Sequence, residues 1–472
     1  MAGIGLENLG SLHTLVFSSL EFLVRYLPLF LLLFFLTPLK YRNYVLFAYS
    51  IILYGLGEPR YVLVLLGMCM VNFLFGRYLQ PERVSEYMQG HREDRKRKLW
   101  LGVGVACNAG LLLYFKISNA FDANLLLPMG ISFYTFKSIS YLIDVYREDS
   151  KAETSFARFG AYLCCFPQVV SGPIMRYGDA VRGLERGRLS YARLEDGLRM
   201  LVAGLAMKVL LADRLGILWN DIQTIGFESI STPLAWLGAF GYSMQLYFDF
   251  AGYSLMAIGI GVMIGLPRIK NFDQPYSARS VSEFYRRWHM TLGSWFRDYL
   301  YIPLGGNRKG AVRTVFNLLF VWAVTGFWHG GGLHFVVWGL ALGVLIVLEK
   351  FFLGKYLAKS RVLSHLYVLF VIPLTWVIFV IPTMRETGSY FARLFPFFGV
   401  GEAVNTGDFW KEFRVFWPVL LAAGVFCIPA VYKWFEHHRK SRILTAALFI
   451  LFWVCVYQIS NAANNPFMYA NF

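Results

Sequence analysis

RTVFNLLFVWAVTGFWHGGGLHFVVWGLALGVLIVLEK, residues 313–350, is a pair of apolar runs parted by three glycines, and its reading decides the fold. Runs of this length and apolarity belong in a bilayer, whose hydrocarbon core of about 30 Å takes roughly 20 residues of helix to cross. His329 ends the first run and is followed by Gly330, Gly331 and Gly332, so the helix must stop there and the backbone is free to approach a ligand. The 16-residue run before it reads as a half-span that leaves His329 inside the membrane, where a group titrating near neutral pH is costly to bury.

Outward from this stretch the chain repeats the pattern. Of 472 residues 57% are hydrophobic and 18% aromatic, against about 45–50% apolar residues in soluble domains, so this is an integral membrane protein. Apolar runs at 22–39, 43–57, 61–79, 99–116, 130–146, 199–215, 233–266, 313–328, 333–350, 365–382, 415–432 and 443–459 predict an all-α polytopic fold of eleven to thirteen spanning or half-spanning helices. The stretch 158–175, broken by Pro167, Gly172 and Pro173, reads as a re-entrant element buried by its neighbours. With no internal repeat and no long hydrophilic segment, residues 1–472 are expected to form one membrane domain.

The net charge of +16 sits in short loops between apolar runs, which the positive-inside rule explains better than nucleic-acid binding. Basic loops at 80–98, 176–199, 267–313 and 433–442 are expected at the cytoplasmic face, and 117–129 and 216–232, which lack Lys and Arg, outside. The charges of 80–98 form a solvated face attracted to anionic lipid. All six cysteines lie in apolar stretches without the spacing of a zinc site or disulfide framework. No cleavable signal peptide is evident in the first twenty residues, so insertion is expected to rely on the first spanning helix.

The region 267–312 is long and dense in working groups. It holds Arg286, Arg287, Trp288, His289, Arg297, Asp298 and Arg308. A helix over 280–300 would present one basic and one aromatic face, which suits an interfacial helix and equally a cytoplasmic mouth that holds a phosphate-bearing donor. His329 likewise stands open between a core histidine bonded to backbone and a functional one. Asp249, Lys137 and Lys208 interrupt spanning runs; Asp249 either orients a histidine or is neutralised by one of the lysines. His334 has no accompanying carboxylate, so no metal site is expected. Nucleotide-binding glycine loops, GxSxG and HExxH are missing, which leaves a membrane histidine, a basic vestibule and compatibility with acyl transfer.

The segments LVFSSLEFLVRYLPLFLLLFF (15–35), PMGISFYTFKSISYLIDVYR (128–147), CFPQVVSGPIMRY (165–177), YFDFAGYSLMAIGIG (247–261), NFDQPYSARSVSEFYRRWHMTLGSWFRDYLYIPLGGNR (271–308) and VTGFWHGGGLHFVVWG (324–339) occur in this order. Together they resemble the membrane-bound O-acyltransferase family, most closely its bacterial alginate O-acetyltransferase branch. The resemblance implies helices around a central funnel, with His329 as the family histidine and His289 as the second functional one. It implies no bound cofactor, with acetyl-CoA as a cytoplasmic donor substrate, and an acyl group carried across the bacterial inner membrane. Delivery to a polysaccharide would fall to an extracellular SGNH-type acyltransferase. The D-alanyl transfer protein of teichoic acid synthesis shares the histidines but lacks the IPLGGNR wording of 302–308. Leu255 stands where branch members commonly have Asp, Lys137 where they have Gln, and the tail reads MYANF at 468–472.

On this reading His329 is general base or transient acyl carrier, and His289 positions or protonates the donor thiol. Arg286, Arg287, Arg297 and Arg308 are expected to hold donor phosphates, with Asp249, Trp288 and Asp298 in support. A transporter using the same buried polar groups, or a non-catalytic scaffold for an extracellular acyltransferase, is the competing class.

Overall fold

The computed structural model describes residues 17–80, 87–121, 127–170, 172–186, 190–398 and 407–461, with side chains from 94 to 119 in the second stretch. The tail at 468–472 lies outside the described residues. Among these residues every regular element is helical. Seven helices are long and apolar enough to span a membrane: Pro59–Leu79, Asp94–Asn119, Thr232–Met263, Gly310–His329, Leu333–Leu357, Arg361–Val380 and Arg442–Asn461. An eighth is added if Asp408–Phe426 and Pro429–His438, bent by 72°, count as one.

The other four expected runs fold into shorter or interrupted helices, for visible reasons. Phe22–Leu36 stops before Pro38. Arg42–Gly57 and Ile131–Tyr146 have 16 residues each. The run at 199–215 is broken by a π-helical turn, Met207–Ala212, which carries Lys208. Leu32 and Leu36 on the short helix Phe22–Leu36, and Ile450 and Trp453 on the full-length Arg442–Asn461, are exposed, as lipid-facing side chains are.

The chain separates into two compact units. One comprises the described parts of Met1–Ala203, Tyr253–Ile269 and Ile459–Asn471. Its centre is Ile131–Tyr146, of which fourteen of sixteen residues are buried, so a charged group there must find partners in the protein. Lys137 does so: its ammonium donates to the carbonyls of Tyr162 and Leu163 and to Gln168 Oε1, and sits 4.4 Å above the Tyr162 ring. The expected re-entrant stretch consists of two short helices, Phe156–Leu163 and Phe166–Val169, and every residue from 159 to 170 is buried.

The second unit comprises Gly204–Gly252 and Lys270–Gln458 and contains both histidines of interest. Gly310–His329 and Leu333–Leu348 pack against each other at very short range. A Cβ on Gly339 would lie 2.3 Å from the Trp322 carbonyl oxygen, and one on Gly326 would lie 2.2 Å from that of Phe335. Small residues at these points let two apolar helices approach backbone to backbone, the main source of adhesion where lipid removes the hydrophobic drive. At 20 residues the helix that ends in His329 is a full crossing length rather than the expected half-span, because it begins at Gly310, before the charged Arg313. Gly330 is extended there (φ 174°), a conformation open to any residue; its glycine is needed for space, since a Cβ would fall 2.3 Å from the Phe335 ring.

Candidate active site

The helix expected over 280–300 is not continuous. Val281–Arg287 ends at Trp288, which is extended; His289 turns left-handed (φ 42°, ψ 55°), and a second helix runs Met290–Phe296. The break has a cause remote in sequence. The backbone carbonyl of Asn271 accepts from Met290 N–H at 2.8 Å, and its side-chain oxygen accepts from Thr291 N–H at 3.2 Å and Thr291 Oγ1 at 2.8 Å. The opening donors of the second helix are thus satisfied by Asn271 instead of by the preceding turn. The first helix is held at its start: Ser280 Oγ accepts from Glu283 N–H, while buried Glu349 accepts from Val281 N–H at 2.5 Å and Ser282 N–H at 2.9 Å.

This scaffold buries His289, whose Nδ1 lies 3.1 Å from Asn271 Oδ1 and whose ring meets the Phe250 ring edge-on at 4.7 Å. Its Nε2 is buried and has no hydrogen-bond partner among the described residues. Burial pushes the imidazole down to about 3, which keeps it neutral across the physiological range.

His329 is also buried, at 4% exposure, but its described surroundings are aromatic. Trp328, Trp338 and Phe379 present rings at 4.5, 5.1 and 5.3 Å, all crossing the imidazole steeply. From Trp338 the contact continues to Trp376 at 5.7 Å and from Trp376 to Trp288 at 5.1 Å. Trp288, stacked on Phe284, precedes His289 in the chain, so one seam of indoles joins the surroundings of both histidines.

The remaining expected residues divide. Asp249 pairs with Lys208 at 2.7 Å, and Asp213 takes the same ammonium at 2.6 Å. Asp249 therefore fastens the helix that carries Phe250. Arg297 pairs with its neighbour Asp298 at 2.7 Å, and Arg286 and Arg308 are exposed. Arg287 lines a concave site. It is oriented by Glu283 at 2.6 Å and Ser277 Oγ at 3.1 Å, and it lines a cleft of about 870 Å³. Lys270, Arg279, Arg361, Lys433 and His365 line the same cleft, with Asp273 as its one acid. Asp273 is paired with Lys270 at 2.6 Å, which leaves the cleft strongly cationic.

Sequence reasoning missed Asn271, Phe250, Trp338, Trp376, Glu349 and most of the cleft. Asn271 and Glu349 had a weak signal, as polar residues beside apolar runs; Lys270, Arg279, Arg287 and Lys433 were legible as members of basic loops, but nothing local showed that they converge with Arg361 on one cleft.

Comparison with known proteins agrees with the motifs on this frame. The model of the membrane-bound O-acyltransferase family matches residues 149–385, a stretch holding both histidines and Asn271. A probable alginate O-acetylase of Pseudomonas putida is 34% identical over 401 residues, 81% of this chain and 81% of its own. A peptidoglycan O-acetyltransferase of Helicobacter pylori is 29% identical, covering 77% of each chain. A teichoic acid D-alanyltransferase of Bacillus subtilis is 29% identical over 48% of this chain and 60% of its own. With a family model over half its length and a relative above 30% identity along most of it, this multi-pass chain belongs to the membrane-bound O-acyltransferase family.

Proposed function

We propose that this chain is an O-acetyltransferase of the bacterial inner membrane that takes an acetyl group from cytoplasmic acetyl-CoA and passes it toward a surface polysaccharide. An extracellular SGNH-type acyltransferase is the partner proposed to complete delivery. The observation that carries the reading is the pair of buried histidines whose aromatic surroundings form one seam, in the same unit as a cationic cleft. The relatives named alginate O-acetylase and peptidoglycan O-acetyltransferase support acetyl as the group and a glycan hydroxyl as its destination. The D-alanyl reading has less support, since that relative covers 48% of the chain against 81%.

In this scheme His329 serves as general base or transient acyl carrier. The phosphates of the donor bind through charge-assisted hydrogen bonds from Arg287, kept from the expected set, with Arg279, Arg361, Lys270 and Lys433 in place of Arg286, Arg297 and Arg308. His329→Ala abolishes acetylation of the surface glycan while protein level in the membrane is unchanged; acetylation that persists in this variant removes His329 from the chemistry. Purified protein given radiolabelled acetyl-CoA separates enzyme from transporter, because only the enzyme consumes the thioester.

A further inference from the structure

Three donors converge on the side-chain oxygen of Asn271: Thr291 N–H, Thr291 Oγ1 and Nδ1 of His289. A backbone N–H can only donate, so the Asn271 atom facing it is the amide oxygen and not the nitrogen. A ring nitrogen 3.1 Å from that same oxygen then carries a proton. A neutral imidazole holds one ring proton, so the lone pair is at Nε2, the buried nitrogen without a partner among the described residues.

We infer that Asn271 is a positioning residue that fixes His289 as the Nδ1–H tautomer and thereby makes Nε2 a proton acceptor in the resting enzyme. Its backbone carbonyl, by holding Met290 N–H at 2.8 Å, also keeps the left-handed turn that aims the ring. The charged groups on the surrounding elements have partners of their own or face outward. Asp249 faces Lys208, Arg287 faces Glu283, Lys270 faces Asp273, and Arg286 is exposed.

For the identity of the reactants the inference rests on the proposed acetyl transfer. There the C–S bond of the thioester breaks and a C–O bond forms. His329, as general base, takes the acceptor's hydroxyl proton and returns it by way of Nε2 of His289 to the departing sulfur, so both imidazoles end as they began. A histidine waiting with Nε2 unprotonated does not begin by protonating the thiol. It must first receive a proton.

The test compares Asn271→Ala with Asn271→Asp in purified protein, following acetyl-CoA turnover against pH. Asn271→Ala is expected to lower kcat about 10²-fold while KM for acetyl-CoA changes less than about threefold. Asn271→Asp keeps an acceptor for Nδ1–H and adds a charge that favours the imidazolium, so it retains activity and moves the acid limb of the pH profile upward. A near-normal kcat in Asn271→Ala, or an unmoved limb in Asn271→Asp, overturns the inference. If Asn271→Ala fails to fold, the Asn271→Asp profile decides alone. Wild-type protein that consumes no acetyl-CoA would sink the donor reading instead. In that case the ring 15N shifts of labelled His289, followed by NMR against pH, carry the test: their half-point moves upward in Asn271→Asp, and an unmoved half-point overturns the inference.

Discussion

His289 and His329 lie in one compact unit and are buried to 3% and 4%, yet they are held by different kinds of structure. His289 sits in a left-handed turn between two seven-residue helices, fixed by hydrogen bonds that Asn271 accepts on one side and Glu349 on the other. His329 ends a 20-residue helix and is enclosed by rings, on a helix pair brought together by missing side chains at Gly326 and Gly339. Hydrogen bonds specify where a proton rests; close packing specifies where an atom rests. The first site is built to govern protonation and the second to hold position.

The largest expected effect comes from breaking the packed side. Gly339→Val places a branched carbon against the Trp322 carbonyl and Gly326 Cα, so the helix pair must separate. Overpacking of this kind costs about 1–3 kcal/mol. Thermal unfolding in detergent should fall by several degrees, with loss of activity; an unchanged melting point would mean that close approach does not hold His329.

The hydrogen-bonded side is sharpened by pH. With His289 pushed down to about 3 in the folded protein, the unfolded chain, at about 6.5, binds more protons between these values. Stability therefore declines as pH falls through that window and is fully present above it, with a slope of at most about 1.4 kcal/mol per pH unit. Melting measured from pH 7 to pH 5 should show a steeper decline in wild type than in His289→Gln. Equal slopes would put the imidazole in contact with water.

The smallest effect is expected at the cleft, whose cations are largely exposed. Arg361→Ala combined with Lys433→Ala should raise KM for acetyl-CoA about 3–10-fold, more at low salt than at high, with kcat nearly unchanged. A fall in kcat alone would move these residues from donor binding to the chemistry.

The apolar runs were enough to read an all-helical membrane protein, and both histidines were legible as costly residues at abrupt changes of pattern. The break at Trp288 and His289 was not, because local periodicity favours a continuous helix and the competing acceptor, Asn271, sits on another segment. Arginines counted near His289 were a poor guide to the cleft for the same reason. Arg297 is consumed by the adjacent Asp298, while Arg361 and Lys433 arrive from distant helices. Asp249 was legible as expensive, and its two possible partners could be separated only in three dimensions.

Glu349 gives the two histidines a common boundary. By accepting from Val281 N–H, 68 positions earlier, it closes a covalent and hydrogen-bonded ring that contains the His289 turn, the long helix and His329. Length is constrained inside such a ring: a residue inserted anywhere within it must be absorbed without opening the Glu349 bond or be felt at both histidines. Residues 281–349 thus form a cassette closed at both ends, in which an added or lost residue is expected to disturb either the Glu349 bond or both histidines unless the largely exposed stretch at 302–310 takes it up.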